Sequence, residues 1–232
     1  MRGRPARRGT EDVGSGKEKP RGESPVGAEP PGGGCHARQA ILRAARERFL
    51  YYGYKKTTIE EIATTAGVGK GTVYLHFDSK EAILLTLARE IKRNVTEQMR
   101  AICGSLAEPE EKLRRMIFTR IIAVHDAATA TAHGLELVDE MMRPKVMECG
   151  LCEQEIQQGL IAAVLREGAD KGQFSLPGDD ETRAASLFSR TFLSFLPPYV
   201  NHCMAGTDCP RELERQVNEM VDFVLSGLRR RA

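Results

Sequence analysis

Apolar residues at Ile59, Ile62, Ala63 and Ala66 fall at i, i+3, i+4 and i+7, the spacing of one stripe along a short helix. Thr58, three residues before Glu61, predicts a capping box in which hydroxyl and carboxylate satisfy the free amides at the helix start. Gly67 follows the last apolar position and suits a left-handed helix stop. A second short helix is expected from Gly69, with Val73 and Phe77 turned inward and Lys70, Gly71, Thr72 and Tyr74 turned outward. Upstream, Arg38 to Tyr52 reads as a helix. Downstream, Asp78 with Glu81 predicts another capping box, opening a helix whose stripe of Leu84, Leu87, Ile91, Val95, Met99 and Ile102 ends near Cys103. Pro109 opens the next, with Leu113, Ile117, Ile121 and Val124 on its apolar face. Further helices are expected near 131–142, 145–171, 180–196 and 211–229. Gly168, Gly172 and Pro177 mark a break between two of them, and Pro197-Pro198 an end or a kink. Alternation of β-branched residues is scarce, so the fold class is all-α.

Two short helices joined by a glycine turn, the second offering small and polar side chains where most helices offer bulk, form a helix-turn-helix. Double-stranded DNA is the partner that shape fits. Two glycines so close together cost a helix interior about 1 kcal/mol each. Close approach to a ligand surface is a use for the missing side chains.

The run Thr58–Phe77 contains Glu61-Ile62-Ala63, Ala66-Gly67-Val68, Lys70-Gly71-Thr72, Tyr74 and His76-Phe77, and Lys80-Glu81 follows. Together with the helix Arg38 to Tyr52, then Gly53-Tyr54 and two threonines, it resembles the signature of the tetracycline-repressor (TetR) family. The resemblance covers residues 36–95. Gly69 departs from it, standing where the family often has a serine, a stronger cap and one hydroxyl–phosphate contact more. The resemblance implies a three-helix DNA-binding domain over 35–95, with its motif at 58–77, followed by a helical ligand-binding and dimerisation domain over 96–232. At a helix N-terminus, Thr58 is expected to hold a phosphate through its hydroxyl and the neighbouring amides. Tyr74, His76 and Lys80 match family positions that contact the DNA backbone. Lys70, Gly71 and Thr72 match those that reach base edges, where lysine favours guanine and the threonine methyl meets thymine.

A short reading helix with Lys70 as its one strong cation is a weak reader, and symmetric pairing solves the problem. A homodimer presents two such helices roughly 34 Å apart to a palindromic operator. The last two helices carry Leu187, Phe188, Phe192 and Phe195, then Leu213, Val217, Met220, Val221, Val224 and Leu228. These stripes either seal the chain's own core or pair with a second copy. The family typically pairs through its final two helices as a four-helix bundle, which favours the homodimer. The family also implies a small-molecule effector, held among the middle helices, that releases DNA. Ile117, Ile121, Met141 and Leu160, with polar points at His125, His133 and Glu136, are the candidates for that pocket, and the same residues also describe an ordinary helical core. A mostly aliphatic set suits an apolar ligand. A protein partner acting on the bundle is the alternative.

The formal charge of +2 is unevenly spread: 38–80 carries eight basic and four acidic side chains, 81–232 nineteen and twenty-three. The positive excess sits where DNA is expected. Residues 1–34 hold nine glycines and five prolines with almost no apolar side chains, and read as a disordered tail. Functionally they are a passive extension, an overlong start, or a basic arm that follows a groove. No apolar run suffices for a membrane span, and no apolar segment follows Arg7-Arg8 as a secretory signal requires, so the expectation is a cytoplasmic protein. Six cysteines include a lone C-x-x-C at Cys149 and Cys152, with Cys35, Cys103, Cys203 and Cys209 apart from it. Lacking a preceding strand or further ligands at metal spacing, they are expected to be buried, idle thiols. A thiol or metal sensor is the alternative, and no cofactor or metal is called for. No nucleophile–base pair suggests an enzyme.

Overall fold

The computed structural model describes residues 33–148, 151–196 and 209–229. The tail through residue 32, Cys149, Pro197-Pro198 and Cys203 lie outside them. The described residues are helical, apart from turns and one isolated bridge between Phe174 and Arg229. In order come α1 (Gly33–Tyr52), α2 (Ile59–Ala66), α3 (Lys70–His76), α4 (Lys80–Cys103) and α5 (Pro109–Thr129). They are followed by α6 (Gly134–Met141), α7 (Pro144–Glu148), α8 (Leu151–Asp170), α9 (Glu181–Thr191) and α10 (Cys209–Leu228).

The local signals act as their chemistry requires. The Thr58 hydroxyl accepts from the Glu61 amide at 3.3 Å, and the Glu61 carboxylate accepts from the Thr58 amide at 2.8 Å. Gly67 stops α2 at φ 69°, where a side chain would be strained. At α4 the expected capping box is replaced. Ser79 is the cap, its Oγ accepting from the Ala82 amide at 3.1 Å, and Asp78 stays outside the helix. Counting from Ser79 puts Ala82, which has no acceptor, at the third helical position. Elsewhere α1 starts at Gly33 rather than Arg38, α7 and α8 together fall on the expected 145–171 helix, and α9 gives way after Thr191 to a 3₁₀ turn at Leu193–Phe195.

Two cores form. In the head, Ile41, Leu42, Phe49, Ile62, Val73, Phe77, Ile83 and Leu84 pack together, joined by Leu137 and Val146 from α6 and α7. Fully burying side chains of this size contributes about 1.5–3 kcal/mol each, enough to hold two short helices with little intrinsic stability. In the body, Met99, Leu113, Met116, Ile117, Ile161 and Val164 pack with Phe188, Phe192, Leu213, Val217 and Val221. Phe188, Phe192, Leu213, Val217 and Val221, expected on the pairing stripes, are therefore core of the chain itself. Leu187 and Phe223 remain outward, 49% and 76% exposed. The buried Lys112 Nζ meets the half-buried Glu167 Oε2 at 2.8 Å and ties α5 to α8, and Gly168 lets Phe174 lie against α8. Among the described residues no helix is long and apolar enough to cross a membrane.

Candidate nucleic-acid interface

Val73 and Phe77, 0% and 5% exposed, pin α3 to the head. That turns Gly69, Lys70, Gly71, Tyr74 and Leu75 to solvent, with Thr72 and His76 half-buried. Gly71 is the informative position. A β-carbon built there meets no atom within 4 Å, and its φ is not in the left-handed region. Nothing inside the fold requires that glycine.

Lys70 is not a free cation. Its ammonium pairs with the Glu60 carboxylate across the α2–α3 turn and lies 6.0 Å from the Tyr74 ring centre. The hydrogen bond raises the lysine's pKa and lowers the glutamate's. Both groups face solvent, where such a pair is screened and contributes little. The Thr58 hydroxyl is spent on its cap and donates to Glu61 Oε2 at 3.1 Å, so an anion at that helix start meets backbone amides.

Lys80, expected to contact the DNA backbone, is engaged within the fold. Its ammonium donates to the carbonyls of Tyr54, Thr57 and Lys55 at 2.8, 2.9 and 3.3 Å, and rests 4.5 Å from the Tyr54 ring centre. Three acceptors take all three hydrogens. Burial lowers its pKa, and neighbouring carboxylates oppose that shift. Lys80 is a clamp on the 53–57 loop, which leads into α2. That loop also holds Lys55 and Lys56, which lie outside the family signature's matched positions. Lys55 Nζ is 3.7 Å from Glu140, whereas Lys56 is exposed and has no ion pair among the described residues. Adjacent lysines just before the Thr58 cap were the signal that could have found them.

The seven residues expected to line an effector pocket do not converge. Ile117 and Ile121 lie in the body core, against which half-buried Leu160 packs. His125 is buried, its Nδ1 3.6 Å from Asp126, and Met141 packs on the head core. His133 and Glu136, 3.4 Å apart, sit where α6 meets the head. There Glu136 Oε1 accepts from the Lys55 amide at 3.3 Å, and Gly53, at φ 87°, leaves room for the carboxylate. Neighbouring Glu140 is buried between Lys55 and Arg143, the latter at 3.0 Å. These residues join head to body. Against expectation, the Cys35 and Cys152 thiols are exposed and Cys103 half-buried. No cluster of three or more metal-ligating side chains exists among the described residues.

The family model described as "Bacterial regulatory proteins, tetR family" matches residues 41–87, which span α1 to the first half of α4. The chain is 28% identical over 192 residues to the fatty acid metabolism regulator protein of Bacillus subtilis, covering 81% of this chain and 93% of that one. The crystal structure of FadR from Bacillus subtilis in complex with stearoyl-CoA superimposes with a TM-score of 0.62 at 25% identity, over 82% of this chain and 98% of that one. Residues 41–87 are a tetR-family regulatory domain, and the rest of the chain is similar to regulators that carry one. Another relative, the transcriptional repressor KstR2 of Rhodococcus jostii, is 25% identical over 150 residues, 63% of this chain and 74% of its own. The protein is a transcriptional regulator whose tetR-type helix-turn-helix head is followed by a helical body.

Proposed function

We propose that the protein binds a palindromic operator as a homodimer, represses transcription there, and leaves the DNA when a small ligand with an apolar part occupies it. The bareness of α3 at Gly71 carries this reading. In it, Lys70 and Thr72 reach base edges across the gap Gly69 and Gly71 leave open, while Tyr74, His76, Lys56 and the amides beside Thr58 hold phosphates. An unbiased selection from random duplexes supplies the operator. Gly71→Ala is then expected to leave the melting temperature unchanged or raise it, since alanine favours a helix by up to about 1 kcal/mol. Operator affinity falls at least tenfold all the same. A variant that binds as tightly as the original refutes close approach at α3. Thr72→Ala, in contrast, relaxes preference at a single base pair, seen by repeating the selection.

Pairing is supported by the outward face of the last two described helices. Between α9 and α10 runs a groove of about 490 Å³ lined by Leu187, Val224, Gly227 and Leu228, with exposed Phe223 beside it on α10. An apolar surface of this kind marks an interaction site. Phe223→Arg is expected to shift the protein from dimer to monomer in sedimentation and to abolish tight operator binding. The effector reading is supported by the stearoyl-CoA complex of the similar Bacillus subtilis regulator, a ligand with a long apolar chain.

A further inference from the structure

A hydroxyl inside a helix is usually spent on a carbonyl of the preceding turn. Thr119 Oγ1 donates in this way to the Arg115 carbonyl at 2.8 Å, and Thr191 Oγ1 to that of Phe188 at 2.7 Å. Ser189 on α9 behaves otherwise: its Oγ is shut off from solvent and has no hydrogen-bond partner among the described residues. It lines a small cavity between α5 and the end of α9, and Arg120 of α5 lines the same cavity. The remaining walls are apolar, from Ile117 and Ile121 on α5 and from Phe192 and two leucines after α9. One of those leucines, Leu193, is half exposed, so the cavity lies near solvent. At about 10 Å³ it has room for a single occupant near the size of a water molecule. Two polar groups that line so small a space face the same occupant.

Arg120 decides the chemistry of that occupant. On the same helix Arg114 meets the carboxylates of Glu110 and Asp222, whereas half-buried Arg120 has no ion pair or hydrogen bond among the described residues. Burial lowers its pKa and no carboxylate opposes that shift, unlike the case of Lys80. A guanidinium only donates, and a charge withdrawn from water without a counter-charge is costly. A water molecule accepts from it but leaves the charge uncompensated. An anion accepts from it, balances the charge, and takes the Ser189 hydroxyl as a second donor. We propose that Arg120 and Ser189 bind one small monovalent anion, of the size of chloride or formate, which ties α5 to the end of α9. Such a site strengthens the body by mass action, since the unfolded chain has no equivalent. It is too small for an effector with an apolar part, and it does not depend on the function proposed above.

The test is a thermal melt of the full chain in sodium gluconate, with chloride replacing gluconate at constant ionic strength. At about 0.3 M chloride the midpoint is expected to rise by about 3 °C or more. Formate is expected to act as chloride does, and citrate, which exceeds the cavity, as gluconate does. Arg120→Met, which keeps length and apolar contact, is expected to abolish the chloride-dependent rise. Ser189→Ala removes an unpaired hydroxyl, so its midpoint in gluconate is expected to stay level or increase, while its rise in chloride falls by at least half. No rise in the original protein means that water alone bridges the two groups, and the proposal fails. An equal rise in Ser189→Ala and the original protein, or citrate matching chloride, reveals a general salt effect and also overturns it. Crystals grown in bromide decide the matter directly, even if Arg120→Met does not fold. An anomalous peak within hydrogen-bond reach of both Arg120 and Ser189 supports the site, and none there refutes it.

Discussion

Gly134→Ala is expected to lower the melting temperature by roughly 6–12 °C. A β-carbon at this position lies 2.4 Å from the Ala127 carbonyl oxygen and 2.6 Å from that of Ala128, both in the last turns of α5. These are backbone atoms, which cannot swing aside as a side chain would, so α6 must move. Overpacking of this kind costs about 1–3 kcal/mol, and rigid neighbours put it at the upper end or beyond. In a protein of this size each kcal/mol shifts the midpoint by about 2–4 °C. Helix propensity alone predicts the opposite sign, because alanine outranks glycine in a helix. A thermal melt followed by circular dichroism therefore discriminates cleanly: an unchanged or raised midpoint means that α5 and α6 do not meet as described. Since α6 holds the 53–57 loop through Glu136, operator affinity falls with stability.

Lys80→Met is expected to weaken operator binding 10- to 100-fold without changing its dependence on salt. The side chain organises the loop ahead of α2, and each hydrogen bond from a charged group contributes about 1.5–3 kcal/mol. Methionine keeps the length and apolar contact but leaves the carbonyls of Tyr54, Lys55 and Thr57 without their donor. The loop then samples other conformations, and the proposed phosphate contacts beside Thr58 lose their fixed positions. A lysine touching phosphate behaves differently, because its removal lowers the slope of log affinity against log salt by about one. Binding measured over a range of salt concentrations separates the two roles. A slope lowered by one means that Lys80 leaves its carbonyls for the DNA.

The contrast between these two residues shows how the sequence could mislead. Gly134 in the chain is an ordinary helix-start glycine, and Lys80 a cation in a basic segment. Their meaning lies in partners far along the sequence or in another helix. Glu136 is 81 residues from the loop it holds. Ser79 and Asp78 are both good caps one residue apart, and the choice falls to the register that sends Ile83 and Leu84 into the head core. Leu187 and Phe188 are equally apolar neighbours. Only the packing of α9 on α8 decides that the phenylalanine is buried and the leucine half exposed.

What the chain determined by itself was everything set by contacts within a turn or two: the apolar stripes, the Thr58–Glu61 box, the Gly67 stop, and an α3 with small and polar residues on its outer side. Those features rest on local hydrogen bonds and helical periodicity, whose range is a few residues. The tertiary structure alone decided which cations are free, which apolar residues remain outside, and where helices leave a gap. Each of these depends on which distant side chains share a volume, and that is settled only when two cores close along one helix, α4.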